Sequence, residues 1–299
     1  VNSDDGLRER ALGAYLGLAI GDALGAPVEF MTAREIAARH GVLREMCGGG
    51  WLKLKPGQIT DDTEMSLIIG RALIAGSGFN LHAIAEGFSA WLKGRPIDVG
   101  NTCRRGIRRY MHDGSLEGPL SEGDAGNGAC MRNVAVVLAT LNDSDAFERC
   151  TLQQCRLTHH HPLSDSATLA FGHMARTLIR GGTLAACQQF ADELVRNHRV
   201  FRYVPYPKRA SAYIVDTVQT VLHYFFTSED FESCLVGVIN QGEDADTTAA
   251  LAGMLAGARF GVQGIPARWR KALDARVSGE ITSQVDGLLE LARRAPSPR

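Results

Sequence analysis

Two short segments concentrate the side chains able to do chemistry. Residues 60–64 read Thr-Asp-Asp-Thr-Glu and run into an apolar periodic stretch beginning at Met65; residues 243–248 read Glu-Asp-Ala-Asp-Thr-Thr and run into Ala249-Ala-Leu-Ala-Gly-Met-Leu. Each packs carboxylates and hydroxyls where a helix is about to start. Helix capping accounts for part of this, because Thr and Asp are favoured N-caps and acidic residues suit the first turn. Capping uses one side-chain oxygen, or two in a capping box. It does not require Asp61 beside Asp62, or Asp244 two residues before Asp246 with Thr247 following. Adjacent carboxylates repel, and in a partly buried site one must take up a proton unless a cation lies between them. Oxygen donors with no Cys and no paired His suit Mg²⁺ or Mn²⁺ better than Zn²⁺. The four charges of Asp61, Asp62, Asp244 and Asp246 would balance two divalent ions, provided the two segments meet in space.

Other candidates are weaker one by one. Residues 123–128 read Gly-Asp-Ala-Gly-Asn-Gly, followed by an apolar run from Ala129 to Leu141 that reads as a helix. A glycine-rich entry to a helix offers free N–H groups to a diphosphate, although the same composition also makes an ordinary loop. It is neither a Walker loop nor a dinucleotide fingerprint. Glu29 could act as an acid or base, or lie on the surface. Asp98 and Asn101 could hold a cationic group, or form a turn. His159, His160 and His161 are consecutive, so they cannot all point at one ion and none is assigned as a ligand. Two basic groups, Arg196 to Arg209 with its interleaved Phe201, Tyr203 and Tyr206, and Arg104 to Arg109, could meet an acidic surface or a phosphate, or be solvated faces.

The elements that must position these groups read as helices. Apolar residues recur at helical spacing from Leu12 to Ala23, from Met65 to Leu73, from Ile84 to Leu92, and near 129–141, 166–180, 184–197, 211–226, 231–240, 247–259 and 281–294. Only Val200 to Val204 resembles a strand. Gly17, Gly21 and Gly25 in one helix, and Gly253, Gly257 and Gly261 in another, fall every fourth residue and share a face. Each lowers helix propensity by about 1 kcal/mol relative to alanine, so the rows predict close backbone approach. These features give an all-α fold. With 299 residues, 45% of them hydrophobic, and no linker, the chain reads as one domain over 1–299, ordered over about 5–294 with a frayed tail at 295–299. Lys plus Arg number 32 against 33 Asp plus Glu, a balance that argues against broad nucleic-acid binding. Seven cysteines without metal-like spacing suit reduced thiols in a cytoplasmic setting. The opening VNSDDGLRER is unlike a secretory leader, and the run from Leu12 to Ala26 looks too short for a bilayer span, so no integral membrane protein is expected.

Taken together, Gly17-Leu-Ala-Ile-Gly-Asp-Ala-Leu-Gly-Ala-Pro-Val-Glu29, Thr60-Asp-Asp-Thr63, Asp98-Val-Gly-Asn101, Gly126-Asn-Gly-Ala-Cys-Met-Arg132, Thr158-His159 and Asp244-Ala-Asp-Thr-Thr248 resemble the ADP-ribosylglycohydrolase family, in its order and across about residues 10 to 260. The resemblance implies a single compact multi-helix domain around a central binuclear Mn²⁺ or Mg²⁺ cleft. Thr60, Asp61 and Asp62 would bind one ion and Asp244, Asp246 and Thr247 the other. Gly123, Gly126, Asn127 and Gly128 would take the diphosphate, with His159 near the ADP-ribose and Tyr213 lining the cleft. The implied reaction is hydrolysis of the bond between ADP-ribose and a protein arginine. Glu29, Asp98 and Asp61 are its catalytic candidates, Glu29 moving a proton with Asp98 as the rival or the guanidinium holder, and Asn101 helps to orient the group. The implied protein substrate is ADP-ribosylated dinitrogenase reductase, with a nitrogen-regulatory signalling protein as a further partner. Two departures stand out: Glu243 occupies a position where relatives often carry glycine, and Ala125 one where some carry an aromatic. Three alternatives stay open: a non-catalytic ADP-ribose binder, action on another modified side chain, and a helical prenyl-diphosphate enzyme. The last usually shows D-D-x-x-D, which fails here because Met65 follows Glu64.

Overall fold

The computed structural model describes residues 3–294, so the expected tail at 295–299 lies outside the described residues. Fourteen α-helices run in order: α1 (Ser3–Gly25), α2 (Ala33–His40), α3 (Asp61–Ala75), α4 (Leu81–Lys93), α5 (Asn101–Asp113), α6 (Val134–Ala139), α7 (Ser144–Arg156), α8 (Pro162–Ile179), α9 (Leu184–Asn197), α10 (Ile214–Thr227), α11 (Phe231–Ile239), α12 (Ala245–Gly264), α13 (Ala267–Ala272) and α14 (Ala275–Arg294). Among the described residues there is no strand, only three isolated bridges. The helices share one continuous apolar core. The all-α expectation holds.

Helices α1 and α12 form the axis of that core. From Ala11 onward α1 is apolar on nearly every face, as is α12, as a helix surrounded by others must be, and both are buried along most of their length. A methyl group added at Gly13, Gly17, Gly21 or Gly25 would lie 2.3, 2.1, 2.0 or 2.3 Å from the carbonyl oxygens of Gly257, Gly253, Ala249 and Ala245 respectively. The predicted close approach is therefore real, antiparallel, and one turn longer at Gly13 than the sequence suggested. Gly261 is the exception. Its φ of 70° interrupts α12, and a methyl there would meet only the Glu9 carbonyl, at 3.9 Å. The antiparallel register brings the C-terminal turn of α1, with Asp22, to the first turn of α12, with Asp246. The stretch Asp5–Val28 is also long and apolar enough to cross a membrane, beyond the shorter run expected, yet its most apolar window is wholly buried inside the protein.

Around this axis α14 braces α1 and α3. Tyr15 donates to Gln284 Oε1 at 2.9 Å, and Gln284 Nε2 donates to the Leu67 carbonyl at 3.0 Å. Several outer helices start with conventional side-chain caps at Thr32, Asn80, Asp143, Thr183 and Asp230. Two expectations need correction. The run 129–141 is helical only over Val134–Ala139, because turns occupy the residues before it. Val200 to Val204 opens with a 3₁₀ turn at Arg199–Phe201 and is no strand. The basic group around Arg104 lies on α5, whose buried Cys103, Ile107 and Tyr110 recur at helical spacing between the arginines.

Candidate active site

Asp22 organises the meeting of helix ends. One of its oxygens accepts the Thr60 hydroxyl at 2.8 Å, the other the Thr63 hydroxyl at 2.6 Å, and the Thr60 and Thr63 amides also point at it. The carboxylate thus pins the first turn of α3 to the last turn of α1, although nothing in its apolar sequence surroundings marks it as functional. The segment leading into α12 is sewn on in the same region. Phe30 donates its amide to the Glu243 carbonyl at 2.6 Å, and Glu243 donates to the Met31 carbonyl at 2.7 Å. Glu243 has φ 55°, a left-handed conformation that favours glycine, which gives the departure at this position a physical meaning. This stitching sets Glu29 beside Asp244 and Asp246.

Asp62, Asp244 and Asp246 therefore come together, while Asp61 lines the same cleft outside the two tight groups of carboxylate oxygens. Carboxylate oxygens of Asp22, Asp62 and Asp246 lie within 4.8 Å of one another, as do those of Glu29, Asp244 and Asp246. Thr247 bridges the two segments by donating to Asp62 Oδ2 at 3.3 Å. Capping does not explain the arrangement: Thr60 and Asp244 are the N-caps of α3 and α12, and neither caps with its side chain. Asp62 Oδ1 is buried without any hydrogen-bond partner, a costly state for a carboxylate oxygen. No Lys or Arg forms a salt bridge with Asp22, Glu29, Asp61, Asp62, Asp98, Asp244 or Asp246 among the described residues.

The electrostatic consequence is uniform. Burial, reinforced by Asp98, pushes the Asp61 carboxyl up to about 8. Burial also carries Glu29 to about 8, with Asp98, Asp244 and Asp61 adding to the rise and the Trp51 bond opposing it. Asp62 and Asp246 are raised well above the carboxylate range by burial and by their acidic neighbours. Asp244 rises to about 6 through burial, held back by the Asn127 amide. Asp22 also reaches about 6 through burial, held back by its two threonines. A buried, all-oxygen, mutually repelling set with an orphaned lone pair fits hard divalent cations.

The cluster forms one wall of a cleft of about 480 Å³ lined by Glu29, Asp61, Asp98, Asn101, Gly126, Asn127, Gly128, His159, Asp244, Asp246 and Thr247 among others. Asp62 and Thr60 lie behind that wall, buried. Asp98 Oδ1 accepts its neighbour Val99's amide at 2.8 Å, and Asp61 Oδ2 accepts that of Gly100 at 3.2 Å. Asn127 spends its amide on Thr217 and Asp244, so it holds a carboxylate in place. Gly123 and Tyr213 do not line the cleft. The Gly123 amide turns back to the Ser121 hydroxyl, and Tyr213 is exposed, its backbone bridged to Gly126. The three histidines diverge. His159 faces the cleft, His160 bonds the Gly118 carbonyl at 2.6 Å, and His161 accepts the Leu163 amide at the start of α8.

Sequence reading overlooked Trp51 and Phe30. Trp51 Nε1 donates to Glu29 Oε2 at 2.7 Å, and the two exposed rings sit 5.4 Å apart at the cleft rim. Arg104, also at the rim, draws the Asp98 carboxyl down against the upward push of burial.

A sequence model described as ADP-ribosylglycohydrolase matches residues 3–298. The chain belongs to this family. It is 59% identical over 286 residues to ADP-ribosyl-[dinitrogen reductase] glycohydrolase of Rhodospirillum rubrum, covering 96% of this chain and 97% of the relative. It is 30% identical over 279 residues to the ADP-ribosylarginine hydrolase Tri1 of Pseudomonas putida (strain GB-1), covering 87% and 73%. A solved structure titled "ADP-ribosylglycohydrolase-related protein complex" superposes with a TM-score of 0.85 at 32% identity, covering 96% of this chain and 99% of that one.

Proposed function

We propose that this family member is a metal-dependent hydrolase that removes ADP-ribose from a protein arginine, with ADP-ribosylated dinitrogenase reductase as its substrate. The observation that carries the reading is the buried carboxylate set on the cleft wall, with no salt bridge to a Lys or Arg among the described residues and with Asp62 Oδ1 left unpartnered. The relatives' activities, and the extent of the match to the Rhodospirillum rubrum protein, supply the substrate. The chain acts as one domain in the cytoplasm, in keeping with its seven free cysteines and the shared core. A regulatory signalling protein belongs to the same proposal.

In this reading Thr60, Asp61 and Asp62 hold one Mn²⁺ or Mg²⁺, and Asp244, Asp246 and Thr247 the other, while Asp22 fixes the first group in place. The cations, when bound, supply the positive charge that grips the ribose hydroxyls and acidifies water. The chain's own groups do the rest. Cleavage breaks the bond from the anomeric carbon to a guanidine nitrogen through an oxocarbenium-like state; water supplies the new hydroxyl, and the departing guanidine nitrogen takes a proton. Glu29 is the proton carrier. Its Oε2 accepts the Trp51 indole N–H, which leaves Oε1 as the oxygen open to carry the proton. Asp98 keeps Oδ2 free to accept a guanidinium N–H, with Asn101 beside it and the Phe30–Trp51 pair offering flat apolar faces to the same planar cation. Asp61, tied to the Gly100 amide, fixes the segment bearing Asp98 against α3.

The test is purified protein on ADP-ribosylated dinitrogenase reductase, with and without Mn²⁺, reading released ADP-ribose. Release that requires the metal is expected. ADP-ribose binding without release would leave a binder and overturn the proposal.

A further inference from the structure

Arg132 is the most unusual charge in the protein. It is fully buried and has no carboxylate partner among the described residues. Its guanidinium donates to Gln154 Oε1 (2.8 Å), the Gln154 carbonyl (2.8 Å), Thr158 Oγ1 (2.8 Å) and, weakly, Cys103 Sγ (3.6 Å), and it lies 5.0 Å from the centre of the Phe88 ring. Gln154 cannot turn away, because its own amide donates to the Ala129 carbonyl and Asn133 Oδ1. A buried guanidinium without a counter-charge is expensive, and of its acceptors the Thr158 hydroxyl is the one that leads on to the cleft.

That hydroxyl fixes the next residue. An arginine only donates, so Thr158 Oγ1 must accept from Arg132. Its own proton is then free for His159 Nδ1, 2.8 Å away, a better acceptor than the thiol sulfur nearby. With Nδ1 accepting, the neutral ring carries its proton on Nε2. Burial, with Arg132 adding to it, holds the ring neutral. Nε2 has no partner among the described residues and faces the cleft beside the glycine loop: a methyl at Gly126 or Gly128 would come within 3.1 Å of it. These two glycines are what allow the ring to reach the cleft.

We infer that Arg132 and Thr158 are positioning residues that set His159 as an Nε2–H donor, and that this donor grips an anionic oxygen of the substrate at the Gly126–Gly128 loop, the diphosphate of an ADP-ribosyl group. The relay polarises each link toward the cleft, which makes His159 a stronger donor to an anion than an isolated neutral imidazole. The identity of the anion rests on the proposed function; the tautomer does not. The role left for His159 is binding rather than proton transfer, since its free nitrogen already holds a proton and the ring resists taking another.

The experiment separates the two. Nitrogen-15 spectra of histidine-labelled, ligand-free protein, with His159 assigned by comparison with His159→Gln, should show Nδ1 as a bare acceptor and Nε2 as protonated. Thr158→Val should mix or reverse the tautomer, weaken ADP-ribose binding roughly tenfold or more and raise KM with little change in kcat; Thr158→Ser should restore all three. A wild-type ring protonated on Nδ1 overturns the inference, as does a Thr158→Val protein that keeps both tautomer and affinity. If wild type shows the expected tautomer but binds no ADP-ribose, the functional reading fails and the relay stands.

Discussion

Stripping the protein of divalent ions and then adding Mn²⁺ should expel protons, and the structure says from which carboxyls. At pH 7 a carboxyl with a pKa near 8, as for Asp61, is about nine-tenths protonated, and one near 6, as for Asp244, about one-tenth. Asp62 and Asp246 are pushed in the same direction, by burial and by their acidic neighbours. Ligands must be deprotonated to bind, so Asp61 and Asp244 together should release about one proton when both sites fill, Asp62 and Asp246 adding to it, and each proton contributes about a factor of ten in binding constant per pH unit while it is still held. Titration calorimetry in two buffers of different ionisation enthalpy counts them directly. The same shifts fix the sign of stability without metal. Folded pKa values are raised, so the contribution of the neutral carboxyls is complete below the unfolded value near 4 and is lost as pH climbs through about 6 to 8. Chelator-treated protein should therefore melt at progressively lower temperature from pH 5 to pH 8, and Mn²⁺ should restore more at pH 8 than at pH 5. Two ions bound with less than about one proton released, and a melting temperature insensitive to pH, would refute the reasoning.

Other outcomes follow from the same geometry. Gly21→Ala puts a methyl 2.0 Å from the Ala249 oxygen; separating α1 from α12 should cost about 1–3 kcal/mol, and, because Asp22 moves with α1, should also weaken Mn²⁺ binding, read by thermal melts and metal titration. Asp61→Ala and Asp246→Ala should abolish turnover while preserving the helical circular dichroism spectrum; either variant keeping most activity with normal metal content would contradict the ligand assignment. Trp51→Phe removes the bond that lowers the Glu29 pKa, so the limb of the kcat/KM profile set by Glu29 should move upward by about half to one pH unit.

How far the site could be read in advance depended on where its residues lie. The two acidic segments stood out because carboxylates crowd helix starts beyond what capping needs, and the four-residue glycine spacing foretold the seam that joins them. Asp22 did not stand out: it lies inside an apolar helix, and its task shows only when Thr60 and Thr63 are seen donating to it. Trp51 and Phe30 lie in irregular chain with no period to betray a direction. The arginines of α5 masked its buried Cys103, Ile107 and Tyr110, and the glycines at 126–128 suggested a helix entry where the chain instead turns until Val134. Their small size serves the approach of His159.

The glycine seam also sets an order of events in the life of the chain. Asp22 and Asp246 are far apart in sequence and become neighbours only after α12 has been synthesised and zipped along α1. A growing or truncated polypeptide that stops before α12 carries half of the donors and should retain no ion pair. On the proposed two-ion reading, metal capture would report completed assembly, and a seated ion would act as a clasp between the α1 and α12 parts of the core.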